Sequence, residues 1–289
     1  MSAGRFAALG LGVALALGLA MVVVAVRAAD EQGTAEQAAP AVPPVYVYHE
    51  PGGAGHAYFD PPKALEPEFF HRRMAEVLVE ALRGAGVEAS VADARTWLRL
   101  CRARERGVVV DLAQYPVEEL YGGEDEGSPV EEWLDAGGVM IYAGDWPFHW
   151  YVGPDGALKG EGACSQGDDD IFDADLVRDG FVGIAVGPTE EGKRWLPSLR
   201  AEGTLRPFDA DAVARHCPWY ELYSVGTRPD AEGKVLRAAD ALCFRLPSGD
   251  GFFAAFHLRR GSHTDSNQVV YEFITRRLAG VLAEGGRPR

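Results

Sequence analysis

The longest apolar run, Phe6–Val26, carries no charge and no proline, and basic residues flank it at Arg5 and Arg27. About 21 helical residues rising ~1.5 Å each reach roughly 30 Å, the hydrocarbon thickness of a bilayer. The pattern predicts an export signal over residues 1–29. Val26-Arg27-Ala28 offers a cleavage site before Ala29, whereas the length of the run and its closing arginine favour a retained anchor. Residues 30–44, rich in Ala, Glu, Gln and Pro and without periodicity, read as a flexible linker. The last 245 or so residues are enough for one large α/β domain, residues 45–289.

Within that domain, periods of about two and about 3.6 residues alternate. Val45–His49 is β-rich. Glu68–Arg83 places Phe69, Met74, Val77, Leu78 and Leu82 at helical spacing before Gly84 and Gly86. Val87–Val91 reads as a strand, Asp93–Arg104 as a helix, and Gly107–Asp111 as a short buried strand ending on a carboxylate. Ser128, Pro129 and Glu131 form a capping-box start for a helix to about Ala136, and Gly137–Gly144 is another buried strand. This β, α, β, α, β, α, β order predicts a mostly parallel sheet with helices on both faces. Further along, Phe181–Val186 reads as a strand, Ala210–Cys217 as a helix and Trp219–Val225 as a strand. Ala241–Leu246 and Gly251–Leu258 form a late hairpin, and a closing helix begins at Thr264 or Ser266.

Composition narrows the function classes. A net charge of −15 argues against nucleic acid and against adsorption to anionic lipid, so the membrane enters only through the N-terminal segment. The four cysteines form no CxxC pair, which disfavours a thiolate zinc site. In an oxidising compartment a Cys164–Cys217 disulfide between surface segments is the expected pairing, and Cys243 reads as a buried small hydrophobe.

Ligands of open α/β sheets bind outside the carboxyl ends of the strands. Those ends carry His49 and Glu50, then Asp111 with Gln114 and Tyr115, then Asp145, Trp146, His149 and Trp150, with His257 closing the last strand. Imidazoles and carboxylates there suit acid–base work, and tryptophans offer a stacking face for a sugar ring. The competing reading makes Asp145-Trp-Pro-Phe an aromatic turn and gives His49 and His257 backbone partners. His49, His56, His149 and His257 with Glu50 or Asp145 could donate to a metal, yet no HxH, HxxxH or HExxH spacing is present, and no metal or cofactor is expected. Asp168-Asp-Asp170 with Asp173 and Asp175 does not match a calcium loop and reads as a solvated acidic segment. Gly187-Pro-Thr-Glu-Glu-Gly192-Lys193 has the spacing of a phosphate-binding loop. However, Arg194 stands where the Mg²⁺-binding hydroxyl belongs, and two glutamates would repel a triphosphate. Neither Cys164 nor Cys101 sits on a strand–turn elbow, and there is no GxSxG, so covalent catalysis is not expected.

Val108-Val-Val-Asp111, Tyr115-Pro116, Val130–Leu134 and Ala136–Asp145 together resemble the class I glutamine amidotransferase-like superfamily, nearest to its ThuA-like (trehalose-utilisation) members. Gly251–His257 and the closing helix are similar to that family's last hairpin and helix. The resemblance implies a flavodoxin-like three-layer sandwich and a link to carbohydrate metabolism, with a small polar or carbohydrate-like ligand as partner. True amidotransferases carry an elbow Cys and a His-x-Glu. Here Leu258 and Arg259 follow His257 and no elbow Cys precedes it, so the glutaminase chemistry does not carry over. A non-catalytic tethered scaffold and a metal-dependent hydrolase are the alternatives.

Overall fold

The computed structural model describes residues 41–51, 67–112, 115–121, 127–143, 147–148, 150–160, 171–177, 179–203, 207–256 and 263–285. Residues Pro40–Arg289 form one compact unit. The segment Phe6–Val26 lies outside the described residues, among which no helix is long and apolar enough to cross a membrane.

In chain order the elements begin with β1 (Val45–Tyr48), α1 (Pro67–Gly84), β2 (Ala89–Ala92), α2 (Ala94–Ala103), β3 (Val108–Asp111), α3 (Glu118–Tyr121), α4 (Pro129–Asp135) and β4 (Val139–Tyr142). A small hairpin follows, β5 (Trp150–Val152) and β6 (Leu158–Gly160). Next come β7 (Ala185–Pro188), α5 (Glu190–Trp195), β8 (Glu202–Gly203), β9 (Phe208–Asp209), α6 (Ala210–His216), β10 (Tyr220–Leu222), β11 (Ser224–Pro229) and β12 (Val235–Ala239). The chain closes with β13 (Ala241–Arg245), β14 (Phe252–Phe256), α7 (His263–Glu272), one π-helical turn at Phe273–Arg277, and α8 (Leu278–Gly285).

The protein is α/β, built on a mixed seven-stranded sheet of order β10-β13-β14-β4-β3-β1-β2. From β14 to β2 every neighbour is parallel, and only β10 and the β13–β14 hairpin run antiparallel. The central strands β3 and β4 are buried along their whole length and apolar up to the carboxylate of Asp111 and the phenol of Tyr142. Val45, Val47, Val108, Val110, Val139 and Ile141 share one buried cluster with Met74 and Leu78 of α1 and Val270 of α7. The alternate residues Val109 and Met140 share another with Trp97 and Leu98 of α2 and Trp133 of α4.

Local signals act where they were expected. Ser128 Oγ accepts the Glu131 N–H while the Glu131 carboxylate accepts the Ser128 N–H, closing the capping box on α4. Trp133, five residues past the cap, donates its indole N–H to the Glu105 carbonyl at 2.8 Å, fastening α4 beneath the start of β3. Three features depart from the pattern reading. Phe181 lies in a 3₁₀ turn and the strand begins only at Ala185. Trp219–Val225 is divided into β10 and β11, which belong to different sheets. A second sheet, β8-β7-β11-β12-β9, is antiparallel and has two strands of only two residues each.

The closing helix is tied down by charge as well as by its apolar stripe. Arg277, at the end of the π turn, donates to Glu221 of β10 at 2.9 Å and to Glu284 of α8 at 2.7 Å, and lies 5.2 Å from the Trp195 ring centre. Ser198 donates through its N–H and its hydroxyl to the two oxygens of Glu272.

Candidate functional site

At the carboxyl edge of the parallel strands, register decides which side chains meet. Tyr48 is opposite Asp111, and Asp111 is opposite Tyr142. Alternation puts all three on the face covered by α2 and α4, so the last rung of the sheet is a carboxylate between two phenols. All three are buried, Asp111 completely. The Tyr48 ring meets the Trp97 ring edge-on at 5.1 Å, and Tyr142 stacks on Phe253 at 6.4 Å. Burial first, then the fields of Asp111 and Glu50, push the Tyr48 hydroxyl well above its ordinary range, so it keeps its proton at physiological pH.

Glu50 joins this face. The Ala94 N–H at the start of α2 donates to Glu50 Oε2 at 2.7 Å, and Asp93 caps the same helix, accepting from the Thr96 N–H at 2.9 Å and the Thr96 hydroxyl at 2.7 Å. Helix amides and the helix dipole favour carboxylates there. The Thr96 hydroxyl, then the Thr96 N–H, hold the Asp93 carboxyl below its usual range.

His49 goes elsewhere. Its N–H still donates to the Ala92 carbonyl at 2.8 Å, so the ladder extends one residue past β1. Alternation then assigns its side chain to the side of Val45 and Val47, facing α1 and α7. His49 and Asp111, both expected at one site, therefore sit on opposite faces of the sheet. Glu50 and Asp111 are brought together, and Tyr48, Tyr142 and Asp93 join them without having been singled out in the sequence. Tyr48 and Tyr142 are, like Asp111, the last in-register residues of their strands, whereas His49, Glu50 and Asp145 were expected as polar residues beyond the strand ends.

Asp145, Trp146, His149, His257 and Gln114 lie outside the described residues, as do His56, Cys164 and Asp168–Asp170. The described segments on either side of Asp145–His149 are joined. Val117 bridges to Val152, and the Val152 N–H donates to the Pro116 carbonyl at 2.9 Å. The segment following Asp111, which includes half-buried Tyr115, is thus stitched to the hairpin that begins at half-buried Trp150. Phe148 has φ of 60°, a left-handed conformation costly for an aromatic residue. Its buried ring stacks on Tyr121 at 5.9 Å and meets Phe172 at 6.1 Å, contacts that hold the backbone there.

Among the described residues no group of three or more His, Cys, Asp or Glu is placed to hold a metal. Cys101, Cys217 and Cys243 are buried free thiols, which corrects the surface position expected of Cys217. Burial pushes the Cys101 and Cys217 thiols up to about 12, so neither is a ready nucleophile. Cys243 is buried in an apolar strand as expected. The phosphate-loop spacing at Gly187–Lys193 has a packing origin. Thr189 caps the six-residue α5 through Gly192, and a Cβ on Gly192 would stand 2.0 Å from the Tyr223 carbonyl oxygen.

No protein-family profile matches this sequence, and no curated protein does. Among solved structures, the chain is similar to a cytoplasmic protein from Salmonella typhimurium LT2, with 10% identity and a TM-score of 0.39 over 84% of this chain and 99% of that one. It is also similar to an exo-β-1,4-mannosidase from Opitutaceae bacterium strain TAV5, with 13% identity and a TM-score of 0.37 over 85% of this chain. The chain spans 35% of the mannosidase's length. Likenesses this distant carry no argument about function.

Proposed function

We propose that residues 45–289 form a flavodoxin-like, three-layer domain of the ThuA-like kind, without glutaminase chemistry, that binds or processes a carbohydrate-like polar ligand outside the cytoplasm. The observation that carries the reading is the Tyr48–Asp111–Tyr142 rung. A carboxylate wholly removed from water at a strand's carboxyl end is costly, and such groups concentrate at functional sites. Glu50 and Asp93, held on α2 beside it, supply further acceptors for ligand hydroxyls, and the protonated Tyr48 supplies a donor. By their place in the sequence after the ends of β4 and β14, Asp145, Trp146, His149 and His257 are assigned to the ligand as well. Export rests on Phe6–Val26.

A panel of mono- and disaccharides screened by thermal shift, with titration calorimetry on each hit, tests this. Asp111→Asn and Glu50→Gln preserve shape and should weaken the hit by about tenfold or more, the worth of a charge-assisted hydrogen bond. Binding unchanged in both variants refutes the placement.

The burial of the same rung supports a second reading. Asp111, Tyr48 and Tyr142 are at most 2% exposed. A carboxyl edge plugged by its own side chains suits a tethered scaffold that kept the fold without a site. Failure of every sugar in the panel to bind favours it.

A further inference from the structure

We propose that a cleft at the amino edge of the large sheet binds a small monocarboxylate with an apolar body. The cleft encloses about 310 Å³ and lies at the opposite end of the strands from Asp111, since Gly107 at its rim immediately precedes β3, and Val139 and Phe252 begin β4 and β14. That volume is at the lower end of the range of small-molecule sites, which combine apolar walls with a few polar groups.

The walls are Pro43, Val139, Phe252 and Leu282, and the polar groups are Arg106, Arg245 and Asp250. Arg245 is already committed: it pairs with Asp250 and donates to the Gly285 carbonyl at 3.5 Å. Arg106 is different. Its neighbours Arg99 and Arg104 pair with Glu105 and Glu132, but no ion pair engages Arg106 among the described residues. An unengaged guanidinium beside an apolar wall is a carboxylate anchor. Gly137, with φ of +99°, lines the rim, and the space where a Cβ would stand is open.

Charge also selects the anion. Ala136 caps the carboxyl end of α4 in the cleft, and α8 ends at Gly285 against Arg245. Helix carboxyl ends carry partial negative charge, which opposes anions in proportion to their charge and so disfavours a dianion such as phosphate more than a single carboxylate held by Arg106. The apolar walls take the body of the ligand.

Benzoate is the probe, titrated calorimetrically into the full-length chain in detergent, with inorganic phosphate and neutral methyl benzoate as comparisons. Benzoate should bind with one site per chain, and phosphate should neither bind nor compete. Exposed Arg106→Gln should weaken benzoate by about tenfold while leaving methyl benzoate unchanged. Exposed Ala136→Trp, which fills the cleft from the helix end without entering the core, should abolish both. No benzoate binding into the millimolar range, phosphate binding as well as benzoate, or benzoate affinity indifferent to both variants would each overturn the proposal. None of these outcomes depends on sugar binding at the other edge.

Discussion

Replacing Gly192 with alanine separates a packing glycine from a phosphate-loop glycine. Its new Cβ would lie 2.0 Å from the Tyr223 carbonyl oxygen and 3.0 Å from that residue's carbonyl carbon. Ordinary contacts begin near 3.4 Å, so the two backbones must separate by more than an ångström. They cannot part freely. The Tyr223 oxygen accepts the Thr189 N–H at 2.9 Å, and the Thr189 hydroxyl donates to the Leu222 carbonyl at 2.7 Å while accepting the Gly192 N–H at 3.0 Å. Overpacking of about 1–3 kcal/mol, plus about 1 kcal/mol for a strained or lost hydrogen bond, totals roughly 2–4 kcal/mol. For a domain of this size that is a fall in Tm of roughly 5–15 °C. Gly187→Ala is the control, because its Cβ would meet only the Ala201 Cβ at 3.6 Å, and its cost should stay within about 0.5 kcal/mol. Thermal unfolding followed by circular dichroism measures both, and hydrogen exchange across residues 189–199 shows whether α5 undocks locally. Equal costs for the two variants, or a neutral Gly192→Ala, would refute the reasoning.

Two further outcomes follow from the ionic contacts. Asp93→Ala should cost about 1 kcal/mol through the lost α2 cap. Because the folded carboxyl sits below its unfolded value, that stability is present at neutral pH and is lost as pH falls below the usual carboxylate range through the folded value. Asp93→Asn should keep most of the cap and flatten this part of the acid-unfolding profile; an unaltered profile would contradict the assignment. Arg277→Ala leaves Glu221, whose side chain is only 12% exposed, without its cation and with only the Tyr223 hydroxyl donating to it at 2.8 Å, and should cost about 3 kcal/mol by urea denaturation, whereas Glu284→Ala, at a side chain 54% exposed, should cost under about 1 kcal/mol. Equal losses would show that Glu221 is not the partner that matters.

The order of β1 to β4 with α1, α2 and α4 was legible in the sequence because each signal is local. Val108–Asp111 is continuously apolar up to its carboxylate, and Ser128 and Glu131 close a capping box three residues apart. The same holds for the β13–β14 hairpin, whose turn residues announce it. Only the tertiary structure decided the second sheet, since β9 is two residues long and owes its conformation to Ala238 and Ala239, some thirty positions downstream. Gly192 belongs to this group too: its spacing imitates a nucleotide loop, and only the Tyr223 carbonyl over it reveals the packing reason. The candidate site divides along the same line. That Glu50 and Asp111 stand at strand ends is written in the chain. That Asp111 falls between Tyr48 and Tyr142 follows from inter-strand register, and that His49 turns to the other face follows from one further ladder bond to Ala92. A sequence carries the period of a strand, but the neighbouring strand decides where its last rung lies.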